Sequence, residues 1–191
     1  MDPFLMIPVG MLLMAALLLL SLRRIGFIAQ RPDDYRDGTP QFDIRKHLDG
    51  PMVCEGVIYG PLGRVTSRFT AEFNARWDGN RGVMDEHFRY DSGTVQHRQW
   101  RLTLGNDGKI RADADDLVGS GTGRQQGSAV QLLYSIRLPE SAGGHVLQVT
   151  DWMYLIDNGA IVNRSQFRKF GIKVAELVAT VRPRDLSDQR L

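Results

Sequence analysis

Residues 65–77 read VTSRFTAEFNARW, the longest regular alternation of apolar and polar residues in the chain. Its odd positions, such as Phe69, Phe73 and Trp77, are mostly apolar or small, whereas its even positions are polar or charged. An alternation with a period of two is typical of a β-strand with one buried face and one solvated face. We therefore predict a strand here, within an antiparallel sheet.

Short turn signals rich in Asp, Asn and Gly recur along the chain after residue 50. They lie at residues 78–80, 91–93, 106–108, 141–144 and 157–159. Each separates two runs of β-branched, aromatic or alternating residues, which is the pattern of successive hairpins. The runs predict ten strands, at residues 52–59, 64–77, 82–90, 94–104, 109–114, 117–121, 128–138, 145–156, 160–167 and 172–182. Ten sequential antiparallel strands favour an all-β, up-and-down barrel of lipocalin type, with a β-sandwich as the alternative.

The hairpin around residues 91–93 allows one register to be predicted. Met84 and Trp100 each belong to an apolar row of even-numbered residues. In an antiparallel pair the numbers of opposite residues have a constant sum, and the two rows lie on the same face only if that sum is even. A three-residue loop at residues 91–93 provides that sum and places Met84 opposite Trp100. The same register places Glu86 opposite Arg98 on the inward face, where charged groups must be satisfied by each other or by water.

Twenty consecutive uncharged residues, PFLMIPVGMLLMAALLLLSL, lie between Asp2 and Arg23. As a helix they would extend about 30 Å, the thickness of a hydrocarbon core, so we predict one transmembrane helix in residues 1–24. A cleaved signal peptide is the alternative, but the stretch lacks a basic N-terminal region and a small-x-small cleavage site. Arginines follow the helix and none precedes it, which favours a cytoplasmic C-terminal domain, with a periplasmic domain as the alternative.

The length of 191 residues suits one ordinary domain with an appendage. We predict a linker rich in Pro, Gly and Asp at residues 25–50, the barrel at 51–183 and a C-terminal tail at 184–191. The net charge of +2 gives no electrostatic footprint for nucleic acid, which we therefore exclude as a partner. The single cysteine, Cys54, excludes an internal disulfide.

The sequence contains no recognisable catalytic, metal or cofactor signature. The four histidines lack metal-ligand spacing, and the glycines of residues 119–127 lack the Lys-Ser/Thr of a phosphate-binding loop. We therefore predict no catalytic residue, no metal and no cofactor. Asp151 interrupts an apolar row, either as an acid in the barrel interior with a raised pKa or in a structural salt bridge with an arginine such as Arg164 or Arg101. The salt bridge is the favoured interpretation.

Three stretches carry a resemblance to a known family. They are DEHFRYDSGTVQHRQWRL at residues 85–102, DDLVGSGTGRQQGSAVQLLY at 115–134 and TDWMYLIDNGAIVNRSQFRKFG at 150–171. Together they resemble the bacterial family of domain of unknown function 3833, from about Phe42 to the C-terminus. The resemblance implies a lipocalin-like fold, a bacterial origin and a connection with lipids, because members often sit beside enzymes that modify fatty acids. It implies no catalytic residue, and this chain has a hydrophobic helix where many members have a lipidated cysteine.

We predict from this architecture that the barrel interior binds a lipid or another apolar ligand at the bacterial inner membrane. The residues expected to line the interior share the inward face of their strands. They are Phe69, Phe73, Trp77, Met84, Glu86, Phe88, Arg98, Trp100, Tyr134 and Asp151.

Two other functions remain open at this point. The first is an accessory subunit of an inner-membrane complex, with the helix packed against an integral-membrane partner and residues 146–156, apolar on both faces, as an exposed docking patch. The second is an enzyme acting on lipids with Glu86, Asp151 or Tyr154 as the acid or base.

Overall fold

Ten antiparallel strands form a closed barrel in the computed structural model, which describes the backbone of residues 3–184 and the side chains of residues 7–17, 25–140 and 142–184. The strands are β1 (Gly50–Tyr59), β2 (Val65–Asp78), β3 (Arg81–Tyr90), β4 (Val95–Leu104), β5 (Lys109–Asp113), β6 (Gly121–Gln126), β7 (Ala129–Arg137), β8 (Val146–Leu155), β9 (Ile161–Lys169) and β10 (Ile172–Pro183). Each strand pairs with its neighbours in sequence, and β1 pairs with β10 to close the barrel. The predicted all-β, up-and-down barrel is therefore confirmed, and the sandwich is excluded.

The N-terminal part of the chain is helical. It contains α1 (Pro3–Arg24), the 3₁₀ helices Phe27–Ala29 and Pro32–Tyr35, and the short α2 (Ile44–His47). No helix in the described part of the chain is both long enough and apolar enough to cross a membrane. The predicted membrane anchor stays a prediction.

Alternation within β2 builds one side of the core. Phe69, Ala71, Phe73 and Ala75 are buried, and the polar residues between them are exposed. Burying an aromatic side chain of this size contributes about 2–3 kcal/mol. The strand deduced from residues 65–77 is therefore confirmed, with its odd-numbered face inward.

The predicted β3–β4 register is also confirmed. Met84 pairs with Trp100 and Glu86 pairs with Arg98. The loop is closed by a hydrogen bond of 2.9 Å from the Tyr90 N–H to the Thr94 carbonyl, which leaves residues 91–93 between these two paired residues. The turn chemistry of residues 91–93 thus determines which side chains face each other in this hairpin.

One predicted strand was misplaced. Residues 117–121 form only an isolated bridge between Leu117 and Ile136, and the sixth strand is β6 instead. The β6 sequence, GTGRQQ, has no alternating apolar residues that could have indicated a strand. Gly123 lies so close to the backbone of β7 that a Cβ there would collide with the Gln131 carbonyl oxygen, so this strand depends on the absence of a side chain.

Residues 25–50 pack against the barrel, which corrects the interpretation of this segment as a linker. Phe27 is buried on the outer wall, and the other three buried apolar side chains, Phe42, Ile44 and Leu48, belong to the main core at one end of the barrel. These contacts could not be predicted from the sequence, because the apolar residues of this segment are isolated and follow neither the helical nor the strand periodicity. Of the predicted tail, residues 185–191 lie outside the described residues.

Candidate functional site

The barrel encloses a cavity of about 120 Å³. This is close to the ~150 Å³ of an apolar cavity that holds benzene, and below the ~300–1,000 Å³ of pockets for drug-sized ligands. Nine of the ten residues predicted to line the interior surround it. They are Phe69, Phe73, Met84, Glu86, Phe88, Arg98, Trp100, Tyr134 and Asp151. Whether they bind a ligand stays a prediction.

Trp77, the tenth of these residues, lies outside the cavity. Its indole N–H donates to the Leu48 carbonyl oxygen at 2.7 Å, and its ring lies over Gly82. Leu48 and Ile44 therefore bound the cavity at this end in place of Trp77. The alternation along β2 correctly placed Trp77 on the inward face. It could not indicate that residues 44–48 enter the end of the barrel and separate Trp77 from the cavity.

Asp151 is the centre of a hydrogen-bonded cluster on the cavity wall. It accepts hydrogen bonds from Asn163 Nδ2 at 2.5 Å, from Ser165 Oγ at 2.8 Å and from Tyr134 Oη at 3.4 Å. Burial raises the pKa of Asp151, although these hydrogen bonds oppose the change. Sequence analysis missed Asn163 and Ser165, yet both occupy odd positions of β9, the row that also carries the buried Ile161.

The predicted salt bridge of Asp151 with Arg164 or Arg101 is wrong. Arg164 pairs with Glu176 at 2.5 Å, and Arg101 pairs with Asp115 at 2.9 Å. Both arginines alternate with inward residues of their strands and lie on the outer wall, so neither can reach an acid inside the barrel. The interpretation of Asp151 as an acid in the barrel interior is the one that the structure supports.

Arg98 brings a positive charge to the same cavity. Its Nε donates to Asp116 Oδ1 at 3.1 Å, and its guanidinium carbon lies 4.0 Å from the ring centroid of Trp100. Among the described residues, its buried Nη2 has no hydrogen-bond partner. A buried donor without a partner costs about 1–3 kcal/mol, so a ligand oxygen that came within hydrogen-bond distance of this atom would offset that cost.

Glu86 lies beside Arg98 on the wall and is 6 % exposed. Burial raises the pKa of Glu86 to about 7, although the charge of Arg98 lowers it. Burial also raises the pKa of Tyr134, which keeps its hydroxyl protonated. The cavity therefore combines apolar walls with groups that can donate hydrogen bonds near neutral pH, an arrangement suited to a slim molecule with one polar end.

The three acids and bases proposed for an enzyme are not brought together. Glu86 and Asp151 line the cavity, but Tyr154 lies on the outer wall, where its hydroxyl donates to Gln30 at 2.7 Å. Within the described part of the chain, no group of three or more His, Cys, Asp or Glu side chains could hold a metal ion. The structure therefore does not bring these three residues into one site.

Two solved structures share this fold. The S-type phycobiliprotein lyase CPES from Guillardia theta aligns with a TM-score of 0.54 at 8 % identity, over 74 % of this chain and 91 % of the lyase. The protein Rv2717c from M. tuberculosis aligns with a TM-score of 0.54 at 16 % identity, over 78 % of this chain and 100 % of its own. At these identities the likeness concerns the fold alone.

No curated protein matches the sequence. A family model does match, and it covers residues 21–183, which include the whole barrel. The chain belongs to the family of proteins of unknown function DUF3833.

Proposed function

We propose that this protein binds a lipid or another slim apolar molecule in its barrel, with the polar end of the ligand at Arg98. The observation that carries the proposal is a mostly apolar cavity lined by Arg98, whose buried Nη2 has no hydrogen-bond partner among the described residues. A ligand oxygen there would satisfy the buried donor, and Glu86 could add a hydrogen bond from its protonated form.

The apolar part of the ligand would lie against an aromatic group on the neighbouring strands β2 and β3. Phe69, Phe73 and Phe88 form two edge-to-face contacts there, with ring centroids 5.5 and 5.6 Å apart. Because the cavity is narrow, we expect a single unbranched chain or a small ring to fit in preference to a bulky group.

Native mass spectrometry of the full chain extracted in a mild detergent tests this proposal. The test compares Leu132→Trp, which fills the cavity, with Leu133→Trp on the outer face of the same strand. We expect the unmodified chain and Leu133→Trp to carry a bound small molecule and Leu132→Trp to be empty. Recovery of the unmodified chain without a ligand, or an unchanged adduct in folded Leu132→Trp, would contradict the proposal.

We also propose that residues 1–24 anchor the protein in the bacterial inner membrane, with the barrel in the cytoplasm. The support is the run of twenty uncharged residues followed by Arg23 and Arg24. A cysteine introduced at the exposed Leu133 would report the side, since Cys54 is buried. We expect an impermeant maleimide to label Leu133→Cys only after lysis of spheroplasts. Labelling of intact spheroplasts would place the barrel in the periplasm.

For the alternative role as a docking subunit, the middle of the predicted patch on β8 is covered by the N-terminal segment. On the outer face of β8, Trp152 is fully buried beneath Phe27 and Tyr35 of the N-terminal segment. The chain itself therefore covers Trp152, whereas Val146 and Ile156 at the two ends of the patch stay exposed. Ligand binding is the function that the geometry supports best.

A further inference from the structure

The exposed apolar side chains of the barrel are concentrated at one end. Sequential pairing places four connections between strands at one end of the barrel and five at the other. α2 enters the end with four, formed by the β2–β3, β4–β5, β6–β7 and β8–β9 turns. We call the opposite end, formed by the β1–β2, β3–β4, β5–β6, β7–β8 and β9–β10 turns, the distal rim. Seven of the nine strongly exposed large apolar side chains after residue 50 lie there. They are Leu62, Val65, Val95, Val118, Val146, Phe170 and Ile172.

Two neighbouring hairpins carry the most exposed of these side chains. Leu62, in the β1–β2 turn, is 90 % exposed, and Phe170, in the β9–β10 turn, is 89 % exposed. β1 and β10 are adjacent, with Tyr59 opposite Glu176, so both turns extend beyond the same part of the sheet. Two isolated apolar tips side by side fit a fluid surface better than the continuous contact that a rigid protein partner needs.

Phe170 holds its position at a conformational cost. Lys169 pairs with Ile172, which leaves Phe170 and Gly171 as a two-residue turn with φ values of 51° and 79°. Such turns favour Asn-Gly, because a left-handed backbone costs an ordinary residue about 1–2 kcal/mol. The exposed ring gains little packing against the barrel to offset this cost, which points to a contact outside the chain.

Basic side chains surround the two tips. Arg64 follows Leu62 in its turn, and Lys169 Nζ lies 5.7 Å from the Phe170 ring centroid. Arg168 Nη1 donates to the Gly171 carbonyl oxygen at 2.9 Å and stabilises the turn. Lys173 lies on the same hairpin, where it pairs with Glu176. Apolar tips flanked by Lys and Arg are typical of proteins that bind anionic lipid surfaces.

We propose that the distal rim docks on an anionic lipid bilayer, with Leu62 and Phe170 entering the interface and Arg64 and Lys169 contacting the headgroups. The hairpin tips then face the lipid, and the end closed by Ile44 and Leu48 faces away. The docking requires only the rim, so it holds whether or not the cavity takes a ligand.

An environment-sensitive NBD label on the full chain in lipid nanodiscs tests this docking. Leu62→Cys places the label on the rim, and Ile156→Cys places it on an exposed apolar position of the opposite end. Cys54 is buried, so it stays unlabelled. In phosphatidylcholine mixed with phosphatidylglycerol, we expect the label at 62 to shift to shorter wavelength and to be quenched several-fold more by lipid-borne quenchers than the label at 156.

Two comparisons make the result specific. Adding Phe170→Asn to the labelled Leu62→Cys chain should reduce the quenching, and so should removing phosphatidylglycerol from the nanodisc. A label at 62 that is as exposed to water as the label at 156 would overturn the proposal. A label at 62 that is shielded equally without lipid would also overturn it, because a protein contact would then cover the rim.

Discussion

Arg98 lies directly opposite Glu86 on the inward face of the β3–β4 pair, yet its Nε donates to Asp116 at 3.1 Å. The two residues share a wall of the cavity, where burial raises the pKa of Glu86 to about 7 in spite of the nearby positive charge. The interior of the barrel therefore contains an acid that changes its charge near neutral pH.

Glu86→Gln should remove a pH dependence of stability. The folded-state pKa of Glu86 lies above its ordinary value of 4.5, so its protonated form contributes stability that is complete below that value and is lost as pH rises through 7. We expect the unmodified protein to lose about 2–3 kcal/mol more than Glu86→Gln between about pH 5 and about pH 8. Urea unfolding at both pH values measures this difference. Glu72→Gln on the outer face is the control, and an equal loss in both variants would contradict the prediction.

Phe27→Ala should release the N-terminal segment from the barrel. Phe27 is buried against Trp152, which is itself fully buried, and Arg164 lies 4.9 Å from the Phe27 ring centroid. Removal of a buried aromatic ring costs about 3–5 kcal/mol, which we expect mainly to weaken the docking of this segment. Faster proteolysis within residues 25–41 would show the release. Ile25→Ala, at an exposed position, should leave the proteolysis rate unchanged, and equal rates for both variants would refute the assignment.

Gly127→Ala should destabilise the protein more than Gly159→Ala. Both glycines have positive φ, 53° and 82°, so each substitution costs about 1–2 kcal/mol in backbone strain. A Cβ at Gly159 meets open space, but one at Gly127 would collide with the backbone oxygen of Tyr35 where the N-terminal segment crosses the β6–β7 turn. We expect a clearly lower Tm for Gly127→Ala. Equal Tm values would mean that the N-terminal segment moves away from the new Cβ at position 127 without loss of stability, and would contradict the prediction.

Phe170→Asn should increase the free energy of unfolding by about 1 kcal/mol, because Asn tolerates the left-handed backbone of this turn. Thermal unfolding in the absence of anionic lipid measures the effect. Leu62→Asn, in the neighbouring turn, has no such backbone strain to relieve and should not raise Tm. A decrease in stability for Phe170→Asn would show that the ring packs usefully against the barrel.

The inward face of the strands could be predicted from the sequence by itself. Phe69 and Phe73 on β2, and the pairing of Met84 with Trp100, followed from alternation and from the chemistry of one turn. These are local properties. Successive side chains of a strand point to opposite faces of the sheet, and the length of the loop fixes which residues of the two strands pair. The same reasoning placed nine of the ten predicted residues around one cavity.

The segments that cover each face of the sheet, and the partner of each charged side chain, became known only from the folded chain. Phe27 lies on Trp152, the Trp77 indole donates to Leu48, and these contacts come from a segment without any period. Arg98 finds Asp116 in the β5–β6 turn, and no strand pattern extends to that turn. Such contacts depend on the closure of the barrel and on the path of irregular chain around it, whereas a period of two in the sequence records only whether a side chain points in or out.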